Sequence, residues 1–255
     1  MGKTTFDFAD HVAVVTGGSH GIGRAAAEAF AQAGAHAVIV DIDDTGGEKV
    51  TDAVRQASGQ ATFLHCDVTS AAEVTATFDA IVSQLGRLDV LVNSAGGFAT
   101  KMTIEDTPND EWDRIMDLNL KSAFLCSRAV IPTFRKQRGG SIINIGSTAG
   151  LTAAALSSPA YSASKAGVHS LTRVSALELA PHGATANALA PATTATDRVN
   201  KVHGLDGMER IGANTPIGRV AQVDDIVGWI LFLATPEARY LTGQTISVNG
   251  GRLMV

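Results

Sequence analysis

Cysteine is nearly absent: Cys66 and Cys126 are the only two in 255 residues, and they do not form a CxxC pair. A disulfide framework is excluded, and two buried free thiols are the expectation. Aromatic residues make up only 5% of the chain, with two tyrosines, so a tyrosine found inside a motif is informative here. Charge is also sparse, at 18% of residues with a formal net charge of -5. That balance gives no long-range attraction to nucleic acid or anionic lipid and leaves a small molecule as the expected partner. No uninterrupted apolar run reaches membrane-spanning length. Lys3 has no apolar stretch behind it, and Phe6 stands where a myristoylation signal needs Ser or Thr, so a cytoplasmic location is expected. The seven histidines lack HExxH-like spacing, and the consecutive His65, Cys66 and Asp67 would alternate faces on a strand; no metal site is expected.

What is present is apolar and small: 45% hydrophobic residues and 26 glycines. This is the composition of a chain with a well-buried core, and its length suits one large domain. Val12 to Thr16 is a continuous β-branched run, followed from Gly21 by Ile22, Ala26, Phe30 and Ala33 at helical spacing. The strand-helix pattern repeats: strand 37–40, helix 45–57, strand 61–65, helix 70–85 and strand 88–92. A long helical region over about 110–138, bent near Pro132, precedes a strand at 141–145. A helix at 159–179 precedes a strand at 184–189, and a last strand falls at 245–248. Strands apolar on both faces and separated by helix-length segments predict an α/β fold, a single-domain, doubly wound parallel sheet of about seven strands with helices on both sides. The stretch from Pro191 to Pro216 reads as irregular and, because it follows a strand, is placed to cover a substrate as a lid.

Thr16-Gly17-Gly18-Ser19-His20-Gly21-Ile22-Gly23 sits where the first strand becomes the first helix. Glycines at that junction let the backbone turn tightly and approach a pyrophosphate at the helix N-terminus. Asp41 closes the second strand, where such folds place an acid against the adenosine ribose, which points to NAD. A 2'-phosphate beside it would be repelled by about 4 kcal/mol per unit charge at roughly 4 Å with an effective dielectric near 20. Even a third of that discriminates about tenfold. His20 is the counterweight, a possible cation beside the phosphates.

Tyr161 and Lys165 stand four residues apart on the expected helix, one turn apart on one face. A tyrosine of pKa about 10 is a phenolate about one time in a thousand at pH 7, so acid/base work needs nearby positive charge, which Lys165 and an oxidised nicotinamide ring together would supply. Ser147, just past the fifth strand, is placed to hold a substrate oxygen, and Asn119 is a polar residue inside the long helix, suited to binding water or keeping a bend open.

Together these residues make the chain resemble the short-chain dehydrogenase/reductase family over its whole length. The resemblance rests on Thr16 to Gly23, Asp41, Cys66-Asp67-Val68, Asn93-Ser94-Ala95-Gly96, Asn119, Ser147, Tyr161-x-x-x-Lys165, Asn187, Pro191, and the Leu241-Thr242-Gly243-Gln244 and Val248-Asn249-Gly250-Gly251 segments. It implies a seven-stranded Rossmann-type sheet, a homotetramer, and a tetrad in which Tyr161 is the acid/base and Ser147 fixes the carbonyl or hydroxyl. Lys165 binds the nicotinamide ribose and Asn119 supports a water relay. Gly17, Ser19, His20, Gly21, Ile22, Gly23 and Asp41 would hold the dinucleotide. Asp67 and Val68 would flank its adenine, Asn93, Ala95 and Gly96 would line its length, and Pro191, Thr194 and Thr196 would lie near its carboxamide end. Ser94 and Ala192 depart from the family's Asn and Gly, and 183–187 lacks its Ile-Arg-Val; Ala192 puts a methyl group where a positive φ is expected.

The expected activity is therefore NAD-dependent interconversion of a secondary alcohol and a ketone. The alternatives are a 3-oxoacyl-carrier-protein reductase using NADPH, docked through Arg135-Lys136-Gln137-Arg138, and an NAD-sensing protein without turnover. The expected pocket comprises Gly97, Phe98, residues 151–156, Ala192 and residues 193–213; with no Arg or Lys assigned to an anion, it suits a neutral, cyclic alcohol.

Overall fold

A computed structural model describes residues 5–98, 101–152 and 158–254. Seven strands, β1 (Val12–Thr16), β2 (His36–Asp41), β3 (Gln60–His65), β4 (Val90–Asn93), β5 (Gly140–Ile145), β6 (Ala184–Pro191) and β7 (Thr245–Val248), form one sheet. All neighbours are parallel, in the order β3-β2-β1-β4-β5-β6-β7. Parallel neighbours require crossovers, and these are helical: α1 (Gly21–Gln32), α2 (Asp44–Gln56), α3 (Ala71–Leu85), α4 (Asn109–Met116), α5 (Ser122–Gln137), α6 (Pro159–Leu179), α7 (Asp197–Ala213) and α8 (Asp224–Ala234).

The unbroken apolar strands feed two cores because successive side chains point to opposite faces. Ala13, Val15, Ile39, Val92 and Ile143 pack with Phe30, Ile226 and Ile230 on one side. Val12, Val14, Val38, Leu91 and Ile142 pack with Phe78, Ile81, Val130, Phe134 and Leu179 on the other. The strand order reverses between β1 and β4, so their carboxyl ends diverge and open the crevice in which ligands of such sheets bind.

One expectation is extended and one corrected. Pro132, where a bend is expected, lies inside α5, and the long helical region carries in addition a π-helical segment at Asp117–Lys121. The wide π turn loosens the usual backbone bonding, and side chains compensate: Asn119 Nδ2 donates to the Ile115 carbonyl (3.0 Å) and the Ser122 hydroxyl to that of Leu118 (2.6 Å). The stretch at 191–216 is not irregular. Thr196 caps α7 by accepting from the Val199 N–H, and the helical periodicity is hidden because Gly204 (φ 64°) breaks α7 and resets its phase. The apolar α8, which packs against α1, was not assigned from the pattern. Among the described residues no helix is long and apolar enough to cross a membrane.

Candidate active site

The crevice begins at Thr16. Its hydroxyl accepts the N–H groups of Ser94 and Ala95, each at 3.2 Å, tying the end of β1 to the segment after β4. Gly17 (φ 64°) passes so close to that segment that a Cβ on it would stand 2.8 Å from the Ala95 backbone; a Cβ on Gly23 would stand 2.2 Å from the Gly17 carbonyl. The turn therefore closes only without side chains, and it delivers the N-terminus of α1 into the crevice. No side chain caps that helix, because His20 at the capping position turns its ring to Asp43 (2.8 Å). A glycine cradle before uncapped helical N–H groups fits the pyrophosphate of a dinucleotide. Ile22 packs outward against the core on that side of the sheet.

Asp41 stands beside this turn. Its carboxylate accepts from the N–H of Ser19 (3.0 Å), of Ile42 (2.8 Å) and of Asp43 (3.2 Å). A carboxylate has about four acceptor positions, so one remains for a ribose hydroxyl. Asp43 both caps α2 and holds His20, and the Gly46 N–H, more than the His20 ring, keeps its carboxyl below the usual range. The possible cation at His20 thus already faces a carboxylate. Beyond β3, Asp67 accepts from Thr69 through both its N–H (2.9 Å) and its hydroxyl (2.7 Å), while Val68 is buried.

The carboxyl ends of β4, β5 and β6 carry the rest of the predicted set. Ser158 caps α6 and sets its first turn, on which Tyr161 sits half-buried. Ser147, after β5, is close enough to Tyr161 to act on its phenol. Burial pushes the phenol above its ordinary pKa, and the Ser147 hydroxyl and then the Arg198 guanidinium partly offset it. Lys165 is 6% exposed; its ammonium donates to the Ile145 carbonyl (2.7 Å) and lies 5.8 Å from the Tyr161 ring centroid, and burial lowers its pKa to about 8. A Cβ on Gly96 would stand 2.7 Å from Asn119 Oδ1 and 3.6 Å from Lys165 Nζ, so the glycine leaves the gap between them clear. Asn119 grips Gly97 at both its N–H (3.1 Å) and its carbonyl (2.9 Å), and with its bond to Ile115 both amide hydrogens are engaged by the protein. Ser147, Tyr161, Lys165 and Asn119 lie near one another at these strand ends.

Other residues stand differently. The Asn93 side chain turns into the sheet, donating to Asn144 (2.8 Å) and Ser127 (3.2 Å), so any contact with a cofactor falls to its backbone. Ala192 needs no positive φ: among the described non-glycine residues only Asp10, Ser58 and Arg138 have one. After Pro191, Thr194 is buried, and the Thr196 methyl lies 3.2 Å from where a Gly21 Cβ would be, which brings this segment against the glycine turn. Of the expected pocket wall, residues 153–156 lie outside the described residues.

Sequence reasoning missed two groups. His169, 2% exposed, accepts the Ser147 N–H at Nε2 (3.4 Å); burial, then the charges of Lys165 and Arg173, lower its pKa to about 4. Its place four residues after Lys165, on the same helical face, was the available signal. Arg198 sits with its guanidinium carbon 4.8 Å from the Phe98 ring centroid. Nothing local in the sequence pairs those two, because their approach depends on how α7 crosses the crevice.

A family model described as enoyl-(acyl carrier protein) reductase matches residues 17–252. The chain is 37% identical over 245 residues to a cyclopentanol dehydrogenase of Comamonas testosteroni, covering 95% of this chain and 96% of the relative. It is 39% identical over 252 residues to a 3-oxoacyl-[acyl-carrier-protein] reductase of Synechocystis, covering 95% and 97%. A crystal structure described as a putative gluconate dehydrogenase from Agrobacterium tumefaciens superposes with a TM-score of 0.93 at 33% identity, covering 99% of this chain and all of that one. Sheet order, glycine cradle and clustered Ser147, Tyr161 and Lys165 agree with these likenesses, and the chain belongs to the short-chain dehydrogenase/reductase family of oxidoreductases.

Proposed function

We propose that the protein interconverts a secondary alcohol and a ketone with NAD(H), using Tyr161 as general acid/base. The observation that carries this is buried Lys165 5.8 Å from the Tyr161 ring, with Ser147 acting on the same phenol. A nicotinamide dinucleotide, when bound, supplies or accepts the hydride. Gly17, Ser19, Gly21, Gly23 and the start of α1 would hold its phosphates, Asp41 a ribose, and Asp67, Val68, Ala95 and Gly96 its flanks. Lys165 keeps two ammonium hydrogens beyond the one given to Ile145, enough for ribose hydroxyls. Ser147 orients the substrate oxygen; the neutral phenol of Tyr161 donates its proton to a ketone, and in oxidation its phenolate, favoured by nearby positive charge, accepts the proton of the alcohol. Asn119 would serve the tetrad by fixing Gly97 and holding a water at its remaining acceptor position.

NAD is favoured over NADP because Asp41 is a fixed negative charge where a 2'-phosphate would come, and because Asp43 engages His20. The relative named as a 3-oxoacyl-carrier-protein reductase keeps a second reading, reduction with NADPH. Against carrier-protein docking, Arg135 is already paired with Glu178 at 2.6 Å. The complete tetrad counts against a non-catalytic sensor. The cyclopentanol dehydrogenase relative supports a cyclic substrate, and exposed apolar side chains on α5 and α6 support a homotetramer.

Initial rates across cyclic and linear secondary alcohols and 3-oxoacyl thioesters, each with NAD and NADP forms, test the reading. Alcohol oxidation preferring NAD by about tenfold or more is expected. Tyr161→Phe should lower kcat by at least roughly a hundredfold while NADH affinity stays within a few-fold. A preference for NADPH with thioesters would overturn it.

A further inference from the structure

We propose that Arg198 anchors a carboxylate of the substrate, so that the alcohol or ketone is a hydroxy or oxo acid, not the neutral compound suggested by the small apolar wall. The inference rests on Tyr161 being the reacting acid/base. Arg198 occupies the first turn of α7, and its guanidinium carbon lies 4.8 Å from the Phe98 ring centroid. Its two terminal nitrogens lie 3.2 and 3.3 Å from where a Gly97 Cβ would be, so the glycine lets the group settle close against the backbone there. Gly97 is the residue that Asn119 clamps at both backbone atoms, which ties the guanidinium's seat to the tetrad.

The Arg198 charge also acts on Tyr161, partly offsetting the rise that burial imposes on the phenol. The charge also lacks an internal counterion. No Asp or Glu of the described residues pairs with Arg198, which is exposed; it shares that lack with other arginines such as Arg128 and Arg173, and differs from them in its seat on Gly97 and Phe98. The residues outside the description include no Asp or Glu. Stacking on Phe98 occupies a guanidinium face and leaves the planar edge of N–H donors for an anion. That edge matches the two oxygens of a carboxylate.

The test compares kcat/KM for trans-4-hydroxycyclohexanecarboxylate and its methyl ester at saturating NAD, in the parent, Arg198→Gln and Arg198→Lys. A companion titration compares cyclohexanecarboxylate with cyclohexanecarboxamide on the enzyme-NADH complex, read by NADH fluorescence. The parent should favour the carboxylate by roughly tenfold to a hundredfold in both measurements. The ratio should fall to near one in Arg198→Gln and recover in part in Arg198→Lys. A parent indifferent to charge, or a ratio unmoved by Arg198→Gln, would overturn the anchor. So would weaker NADH binding in Arg198→Gln with the ratio intact, which would assign the guanidinium to the cofactor's phosphates. Failure to turn over either alcohol would count against the dehydrogenase reading, and the binding titration would still decide the anchor.

Discussion

Ser147 is held from below as well as from the side. Its hydroxyl accepts from the Ala149 N–H (3.1 Å) and meets Tyr161, while its own N–H is received by His169. That last bond requires an unprotonated Nε2, and burial keeps the imidazole neutral with a pKa of about 4. Because the folded value lies below the ordinary 6.5, the unfolded chain binds the extra proton first. Stability from this residue is full above about pH 6.5 and is lost as pH falls toward about 4, by up to roughly 3 kcal/mol. The fall in melting temperature between pH 7 and pH 5 should therefore be smaller in His169→Gln than in the parent, and kcat should drop more than KM changes because Ser147 is displaced. Equal pH sensitivity in the two proteins would rule out this role. At this scale the sequence displayed Tyr161, Lys165, Ser147 and Asp41 because motif spacing carries them. It hid Arg198, whose neighbours Gly97 and Phe98 lie a hundred residues away.

Elements were legible where side-chain period decides them. The apolar run of β1, the alternating β7 and the cap-to-end span of α6 appear where pattern and turn residues put them. Failure came where backbone geometry overrides period: Gly204 splits α7, and the π segment inserts a wide turn that leaves composition unchanged. The π segment has a purpose visible in its bonds, since it turns Asn119 inward to reach both Gly97 and Ile115. Asn119→Leu would leave buried backbone groups without partners, each worth about 1–3 kcal/mol. A fall in melting temperature of about 5 °C or more is expected, with kcat falling more than KM rises. Pro132→Ala, inside uninterrupted helix, should leave both nearly unchanged. A larger effect at Pro132 than at Asn119 would make the proline, not the π segment, the feature that shapes this region.

At the scale of the molecule, apolar side chains pack on both faces of the sheet, and other large ones stand exposed. Phe124 on α5 and Val174 and Leu177 on α6 are 43%, 58% and 80% exposed. A second set, Ile217, Trp229 and Tyr240, stands near the β7 edge of the sheet, with Tyr240 fully exposed. Single exposed apolar residues are ordinary, as at Ile42 and Ile104; the proposed tetramer would bury the two sets named here. A tetramer of D2 symmetry needs distinct self-complementary faces, and two such patches on different sides of one chain meet that requirement. Placing a charge in one face should therefore sever one dyad and spare the other. Leu177→Asp is expected to convert a tetramer to a dimer, not a monomer, by light scattering after gel filtration, with the far-ultraviolet dichroism unchanged. Tyr240→Asp should do the same through the opposite face, and the double variant should be monomeric. A parent that elutes as a monomer, or a Leu177→Asp variant that stays tetrameric, would refute that use of the two patches.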